Sequence, residues 1–483
     1  MNYASSHGEG IAYRTLTAEQ IHDIHSASCR ILEEVGVIVH HDEAAELLKK
    51  WGAYIDADGR THIPEAMVKR ALHTAPSRIT VYNRLGEPVI WLEKSNVHFG
   101  AGSDTLIYLD PFTGERRSWT SQDVAAAVRV VDALPQLDFV MSMGMLSDVD
   151  IRMINRVQYA LMIKNSVKPQ VVIAEDASTV ADIQEMAAAV VGGKEKLKHR
   201  PHFVLYCEPT SPLQLPFESI DKLLFAAENK IPVNFACGAV EGASTPVTVA
   251  GTVAQANAEA LCGLVVHQLK NPGAPFLYGY GGSPLDMRSM GAIYAVPEVM
   301  LLQGALCDLG RFYSLPTWGY AGCSSSKAFD EQAVVDGTMF TLMGALQGCN
   351  LMHDVFYIES GRTGSLNLLV LMDEVISRSR FLLNGVNTTP EYLAVEAVKR
   401  VGPGGNYLGD PHTAKHFREK WQPSLSDYSS FSSWEAAGSK KMEARIQEKL
   451  RTILEEHKPM PLDSEVEAKI DAVIRSAQER LGI

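Results

Sequence analysis

The chain has 483 residues, of which 46% are hydrophobic and 21% charged, and its formal net charge is −13. This length can bury a large core, and the acidic balance disfavours nucleic acid and anionic membrane surfaces as partners. No window of about 20 residues is continuously apolar, so the sequence predicts no membrane span. The seven cysteines include no CxxC pair and no apolar signal core opens the chain. We therefore expect free thiols, no metal site and a cytoplasmic location.

The first part of the chain mixes helical and β patterns. Residues 16–50 predict two helices, and Thr17 with Gln20 forms a candidate capping box at the start of the first. Residues 61–95 contain short β segments around a helix. We interpret residues 1–96 as an N-terminal α+β extension.

A regular alternation of apolar runs and helical patterns begins near residue 97. Continuous apolar strands alternating with helices are typical of a parallel sheet. Eight such units favour the α/β class as a (β/α)8 TIM-type barrel over residues 97–386, and no GxGxxG follows the first strand to suggest a dinucleotide fold. The runs cover residues 97–102, 138–144, 170–176, 202–209, 232–239, 275–282, 315–322 and 349–355.

The remaining residues, 387–483, are rich in charged helical patterns and predict a C-terminal helical extension. Within it, the Gly- and Pro-rich stretch 402–413 is a candidate lid or assembly arm.

Candidate site residues follow from the expected barrel, because active sites of such barrels lie at the C-terminal strand ends. Two polar residues there, Glu208 and His353, are candidate catalytic groups. Aromatic faces with few ionisable neighbours suit a quaternary ammonium ligand, although rings at strand ends also serve as packing. The candidate substrate-binding rings are Tyr278, Tyr280, Trp318, Tyr320, Phe356 and Tyr357.

Three of the polar residues have alternative interpretations. His353 with Asp354 can be a base with its orienting acid, an anchor for a substrate carboxylate, or a structural pair. Glu208 can stabilise a cation, or form a salt bridge or helix cap. Lys327, expected in the helix after the seventh strand, can form a Schiff base, although a solvated lysine is more common there.

Several segments resemble one known family. The stretches YSLPTWGYAGCSSSKAFDEQAVVDG (Tyr313–Gly337) and GCNLMHDVFYIESG (Gly348–Gly361) are similar to the trimethylamine methyltransferase family, as are CEPTSPL and YGGSPLDMRS. The resemblance implies methyl transfer from a methylamine to a corrinoid (cobalamin) carried by a partner protein, with no tightly bound cofactor. Members that act on trimethylamine use pyrrolysine, whereas this chain contains only the twenty ordinary residues.

The resemblance is therefore to the branch without pyrrolysine, whose donors are quaternary amines and foremost glycine betaine. A quaternary nitrogen leaves as a neutral tertiary amine, so the reaction requires alignment and desolvation but no general acid. The expected products are dimethylglycine and a methylated cognate corrinoid protein, and we expect a homo-oligomer. Alternatives are another betaine (proline betaine, carnitine or butyrobetaine), a Schiff-base lyase using Lys327, and a betaine-binding protein without catalysis.

Overall fold

The computed structural model describes residues 12–483, and its first elements form the expected α+β extension. The predicted capping box is confirmed, since the Thr17 hydroxyl accepts the Gln20 N–H and the Gln20 side chain accepts the Thr17 N–H. The elements are α1 (Ala18–Arg30), β1 (Ile38–Val39), α2 (Asp42–Lys50), β2 (Tyr54–Ile55), β3 (Thr61–His62), α3 (Glu65–Thr74), β4 (Ile79–Tyr82) and β5 (Pro88–Leu92).

Parallel strands then close into a barrel. The later strands are β6 (His98–Phe99), β7 (Ile107–Leu109), β8 (Arg116–Ser118), β9 (Gln170–Val172), β10 (Phe203–Cys207), β11 (Gln214–Leu215), β12 (Val233–Phe235), β13 (Gly238–Glu241), β14 (Phe276–Tyr278), β15 (Gly281–Asp286), β16 (Gly291–Ala292), β17 (Trp318–Tyr320), β18 (Leu351–His353), β19 (Tyr357–Ile358) and β20 (Thr363–Ser365).

The barrel ring contains every predicted strand. Strands β9, β10, β12 and β14 form one parallel sheet, and β17, β18 and β6 form another. Isolated bridges join the two sheets, with the second predicted strand represented only by such bridges. The predicted (β/α)8 barrel is therefore confirmed. The bridges are Gly100–Phe139, Val140–Gln170 and Tyr278–Thr317.

Helices surround the barrel, and the long helix α9 is largely buried among them. Within residues 12–483, only α9 is long and apolar enough to cross a membrane, and 78% of its most apolar stretch is buried inside the fold. The helices are α4 (Ser121–Ala133), α5 (Ile154–Asn165), α6 (Ala177–Val191), α7 (Lys194–His199), α8 (Phe217–Asn229), α9 (Val249–Lys270), α10 (Pro297–Tyr313), α11 (Glu331–Gln347) and α12 (Leu366–Leu383).

The β4–β5 hairpin closes the N-terminal end of the barrel. The Tyr82 N–H donates to the Pro201 carbonyl and the Arg84 N–H to the Val167 carbonyl, both of which precede barrel strands. One apolar cluster joins the hairpin to inward-facing barrel residues and leaves the opposite end for a site. Its members include Ile79, Val81, Ile90, Leu92, Phe139, Met141, Val171, Val204, Leu277, Trp318 and Leu351.

The C-terminal extension is helical, as predicted. Helix α17 packs on α4 and α12, and α18 packs on α5 and α6. The domain limits drawn from the sequence stay predictions. The helices are α13 (Pro390–Leu393), α14 (Val395–Val401), α15 (Pro411–His416), α16 (Phe431–Ala436), α17 (Met442–Glu456) and α18 (Ser464–Leu481).

Candidate active site

Alternation along three strands places one group of polar and aromatic side chains inside the barrel. Side chains of a strand point alternately to its two faces. On β10 the inward position after Val204 is Tyr206, and Tyr206 donates a 2.9 Å hydrogen bond to Oε2 of Glu208. Trp318 belongs to the same inner cluster on β17. We call the C-terminal end of the barrel lumen the mouth.

The inward rings form a continuous wall. Trp318 and His353 are stacked, with ring centroids 4.4 Å apart. Tyr206 lies 5.6 Å from Trp318, and Tyr320 lies 5.1 Å from His353. Paired strands β17 and β18 hold Tyr320 and His353 side by side. The structure therefore brings together four predicted site residues (Glu208, His353, Trp318 and Tyr320) and adds Tyr206.

Two glycines of the sixth barrel unit make room for this wall. A Cβ at Gly279 would lie 2.8 Å from Cβ of Trp318, and a Cβ at Gly281 would lie 1.9 Å from the Tyr320 hydroxyl. A larger residue at either position would displace a ring.

A further ring, Tyr294, reaches the mouth from the segment after β16. Its centroid lies 6.4 Å from that of Tyr320. Its backbone is held by Ser325, whose hydroxyl accepts the Tyr294 N–H and donates to the Tyr294 carbonyl. Tyr294 could not be predicted from the sequence, because it lies on an insertion and not on a barrel strand. Tyr206 could have been predicted from the sequence, because it lies two residues before Glu208 on one strand and side chains two residues apart share a face.

Glu208 is the exposed carboxylate of this wall. Burial raises its pKa, although the Tyr206 hydroxyl and the positive charge of Lys222 both oppose the rise. The Glu208 carboxylate thus has accessible surface, although protein atoms of the barrel surround it on most sides. Burial also raises the pKa of Tyr206 and Tyr320, so both phenols stay neutral.

His353 and Asp354 lie next to each other in the buried part of the mouth. His353 Nδ1 is 2.5 Å from Asp354 Oδ1, and their side chains are 9% and 2% exposed. Asp354 has φ of 73°, the left-handed region. Within residues 12–483, neither ring nitrogen makes a hydrogen bond of ordinary geometry. With Asp354 facing Nδ1, Nε2 is a buried nitrogen without a hydrogen-bond partner among the described residues.

Tyr278 and Tyr280 face away from the lumen, contrary to the sequence-based expectation. Tyr278 donates a 2.7 Å hydrogen bond to Oδ1 of Asn257 on α9, and Tyr280 donates one of 3.1 Å to the carbonyl of Leu302 on α10. Both are buried between strand and helices. Their side chains lie on the outer face of the strand, and the structure does not bring them together with the residues of the mouth.

Phe356 and Tyr357 are also packing residues and not part of the wall. Phe356 is fully buried and lies 6.4 Å from Trp119. The Tyr357 ring fills the space at Gly102, and its hydroxyl accepts the Ser103 N–H at 2.6 Å and donates to the Ser103 carbonyl. These bonds occupy the polar end of Tyr357.

Lys327 lies outside the helix in which we expected it. Helix α11 begins at Glu331, with Asp330 as its N-cap. Lys327 is exposed in the preceding loop, and its ammonium group donates to the Ser325 carbonyl at 2.8 Å. A Schiff-base lysine needs a desolvated amine, and the side chain of this one is exposed to solvent.

Comparisons with known proteins agree with this architecture. The trimethylamine methyltransferase (MTTB) family profile matches residues 5–482. The chain is 32% identical over 477 residues to trimethylamine methyltransferase MttB of Desulfitobacterium hafniense (strain DSM 10664 / DCB-2), covering 98% of this chain and 96% of that protein. It is 30% identical over 480 residues to a glycine betaine methyltransferase of Desulfitobacterium hafniense (strain Y51), covering 97% and 98%.

A solved structure shares the fold. The monomethylamine methyltransferase MtmB of Methanosarcina barkeri aligns with a TM-score of 0.52 at 12% identity, over 96% of this chain and 88% of that one. Since the family profile spans nearly the whole chain, the protein belongs to the trimethylamine methyltransferase family.

Proposed function

We propose that the protein transfers a methyl group from a quaternary amine, most specifically glycine betaine, to Co(I) of a cognate corrinoid protein. The family consists of corrinoid-dependent methyltransferases, and this proposal supplies the donor. The observation that carries it is the mouth itself: neutral aromatic rings around one exposed carboxylate.

The ammonium end of the donor fits the ring faces beside Glu208. Tyr206, Tyr294 and Tyr320 are each partly accessible. A cation over such a ring gains roughly 0.5–2 kcal/mol. Trp318 is only 1% exposed, so its part is to support the His353 ring, not to contact the ligand over a large area.

The carboxylate end of the donor fits His353. Its Nε2 faces no protein partner within the described residues, and Asp354 Oδ1 lies 2.5 Å from Nδ1. The ammonium end of a betaine would then lie beside Glu208 and its carboxylate end beside His353, both on the lumen side of the wall. This arrangement would hold one N–CH3 bond in a fixed direction.

The chain's own residues then have a limited task. They desolvate the cation, hold it still and exclude water from the methyl group. The partner's corrinoid supplies the Co(I) nucleophile. The N–CH3 bond breaks with its electron pair staying on nitrogen, a Co–CH3 bond forms, and dimethylglycine leaves without needing a proton.

The two Desulfitobacterium relatives do not by themselves choose the donor, because their identities to this chain are 32% and 30%. The absence of pyrrolysine favours a quaternary donor, as the family resemblance implies. The exposed, solvated Lys327 disfavours the Schiff-base alternative.

The test is methylation of reduced cobalamin under anaerobic conditions, followed by its visible spectrum. Glycine betaine should give methylcobalamin and dimethylglycine, and trimethylamine should give neither. Carnitine and proline betaine, run in parallel, rank the donors. Methylation by trimethylamine alone would overturn the proposal, and betaine binding without methylation of either free cobalamin or the cognate corrinoid protein would assign a binding function.

A further inference from the structure

A cluster of potential metal ligands lies outside the barrel, where α1 meets α3. His25 and Cys29 are one helical turn apart on α1 and so share a face. Glu65 is the first residue of α3. Nε2 of His25 is 3.7 Å from Sγ of Cys29 and 4.0 Å from Oε1 of Glu65, and the three ligand atoms all lie within 4.8 Å of one another.

These separations match those of a coordinated ion. Zinc–sulfur and zinc–nitrogen bonds of about 2.3 and 2.0 Å at tetrahedral angles place neighbouring donor atoms about 3.5 Å apart. The 3.7 and 4.0 Å separations exceed this by a few tenths of an ångström and the third is at most 4.8 Å, so rotations of the side chains are needed to bring all three atoms onto one ion. We propose that His25, Cys29 and Glu65 bind a divalent ion of the zinc class.

The surroundings of His25 select the nitrogen that would bind. Nδ1 lies 3.0 Å from the Tyr313 hydroxyl, which also accepts an N–H from Asn257 at 2.9 Å. Asn257 in turn accepts the Tyr278 hydroxyl. Sγ of Cys29 is 3.9 Å from Nδ1 and 3.7 Å from Nε2, but the Tyr313 hydroxyl occupies Nδ1 and so leaves Nε2 for an ion, as outer hydrogen bonds do for metal-binding histidines. This chain of hydrogen bonds also gives Tyr278 a role that its position away from the lumen otherwise leaves unexplained.

The donor atoms of the cluster are of the kinds that zinc takes: an imidazole nitrogen, a thiol sulfur and a carboxylate oxygen. Lys69 is the cation now beside Glu65, 2.9 Å from Oε1, but its side chain is 67% exposed and free to turn away. Glu65 is 43% exposed, which leaves room for water as a fourth ligand.

The position of the site indicates a structural role. Helices α1 and α3 both pack on α9, and α1 also packs on α10. An ion held by α1 and α3 would fasten the N-terminal extension together against the barrel's helical layer.

The test measures metal content and not methyl transfer, so it stands apart from the proposed function. Reduced, tag-free protein is dialysed against Zn2+ and then against metal-free buffer, and zinc is counted per chain. Co2+ provides a second readout, because a cysteine ligand gives a thiolate-to-cobalt charge-transfer band. We expect one ion per chain and that band in the wild-type protein.

Variants assign the ligands. Cys29→Ser and Glu65→Gln should retain no zinc, and Cys29→Ser should lose the charge-transfer band. Tyr313→Phe should weaken binding by about 10–100-fold. His22→Ala removes an exposed histidine one turn away on the same helix and should bind normally. If Cys29→Ser does not fold, the partly exposed Glu65→Gln still decides. Metal-free wild-type protein, or zinc retained equally by Glu65→Gln and wild type, would overturn the proposal.

Discussion

Two tyrosine-containing strand ends, similar in sequence, have opposite orientations in this barrel. The seventh unit carries Trp318 and Tyr320 around a glycine, and the sixth carries Tyr278 and Tyr280 around another. The first pair faces the lumen, while the second pair bonds to helices α9 and α10. The pattern aromatic–Gly–aromatic therefore specifies a shared face, but not which face.

The orientations of the two pairs depend on each other through Gly279, which lies between the two tyrosines, and Gly281, which follows Tyr280. With the tyrosines turned outward, Gly279 and Gly281 occupy the inward positions, where they accommodate Trp318 and Tyr320. One strand thus supplies space and the other supplies rings. The rings of β17 thus face the lumen beside an adjacent strand whose inward positions are glycines.

The largest expected effect comes from the carboxylate of the inward wall. Glu208→Gln removes a negative charge beside the proposed ammonium position. At about 4–5 Å and an effective dielectric constant near 20, the lost attraction corresponds to a decrease in kcat/KM of roughly 100-fold or more. Initial rates with glycine betaine measure it. Glu331→Gln, an exposed glutamate at the start of α11, is the control; equal rates for both variants would exclude Glu208 from the site.

His353→Ala should abolish the selection for a carboxylate. Loss of one charge-assisted hydrogen bond costs about 1.5–3 kcal/mol, or roughly 10–150-fold, with glycine betaine. Choline keeps the ammonium group and lacks the carboxylate, so its rate should change little. The ratio of the two rates is the measurement, and a folded variant that keeps the wild-type ratio would make His353 a structural partner of Asp354.

Tyr206→Ala and Tyr320→Ala should each weaken betaine binding by about 1–2 kcal/mol, or roughly 5–30-fold, through lost cation–π contact. Tyr320→Phe keeps the ring and should cost much less. Tyr280→Phe, on the opposite face of the barrel wall, should leave the Kd for glycine betaine unchanged. Titration calorimetry distinguishes these cases, and a weakened Tyr280→Phe with an unaffected Tyr320→Ala would reverse the assignment of faces.

Much of the fold follows from the sequence, but less of the site does. Continuous apolar runs locate the eight barrel strands because parallel strands are buried on both faces. The same burial hides the inward–outward alternation, so the sequence could not separate Trp318 from Tyr278. Tyr294 reaches the mouth through tertiary contact from an insertion. The His25–Cys29–Glu65 cluster joins two helices far apart in sequence, which spacing rules for metal motifs do not detect.

A smaller effect should appear in the pH profile. The Tyr206 hydroxyl donates to Glu208 and lowers the carboxyl pKa that burial raises. Because the ionised form holds the ammonium group, activity should fall as the pH drops through this pKa. Tyr206→Phe removes the donor, so the acidic limb of kcat/KM should move to higher pH, while Tyr320→Phe should leave it in place. A limb that stays fixed in Tyr206→Phe would show that Glu208 does not control it.

The smallest effect on catalysis is expected for Tyr278→Phe. It leaves the buried Asn257 Oδ1 without its 2.7 Å donor. The free energy of unfolding should fall by about 1–3 kcal/mol, with kcat and KM for glycine betaine unchanged. Thermal unfolding measures the first quantity and initial rates the second. A raised KM at unchanged stability would place Tyr278 at the substrate after all.

The central claim is that the inward wall, and not the outward tyrosines, binds a quaternary ammonium ion. A crystal structure with glycine betaine bound tests it most directly. We predict the ammonium group within about 6 Å of the Tyr206 and Tyr320 ring centroids and beside Glu208, with the carboxylate towards His353. Glycine betaine bound away from the mouth, or with its carboxylate against Glu208, would contradict the account.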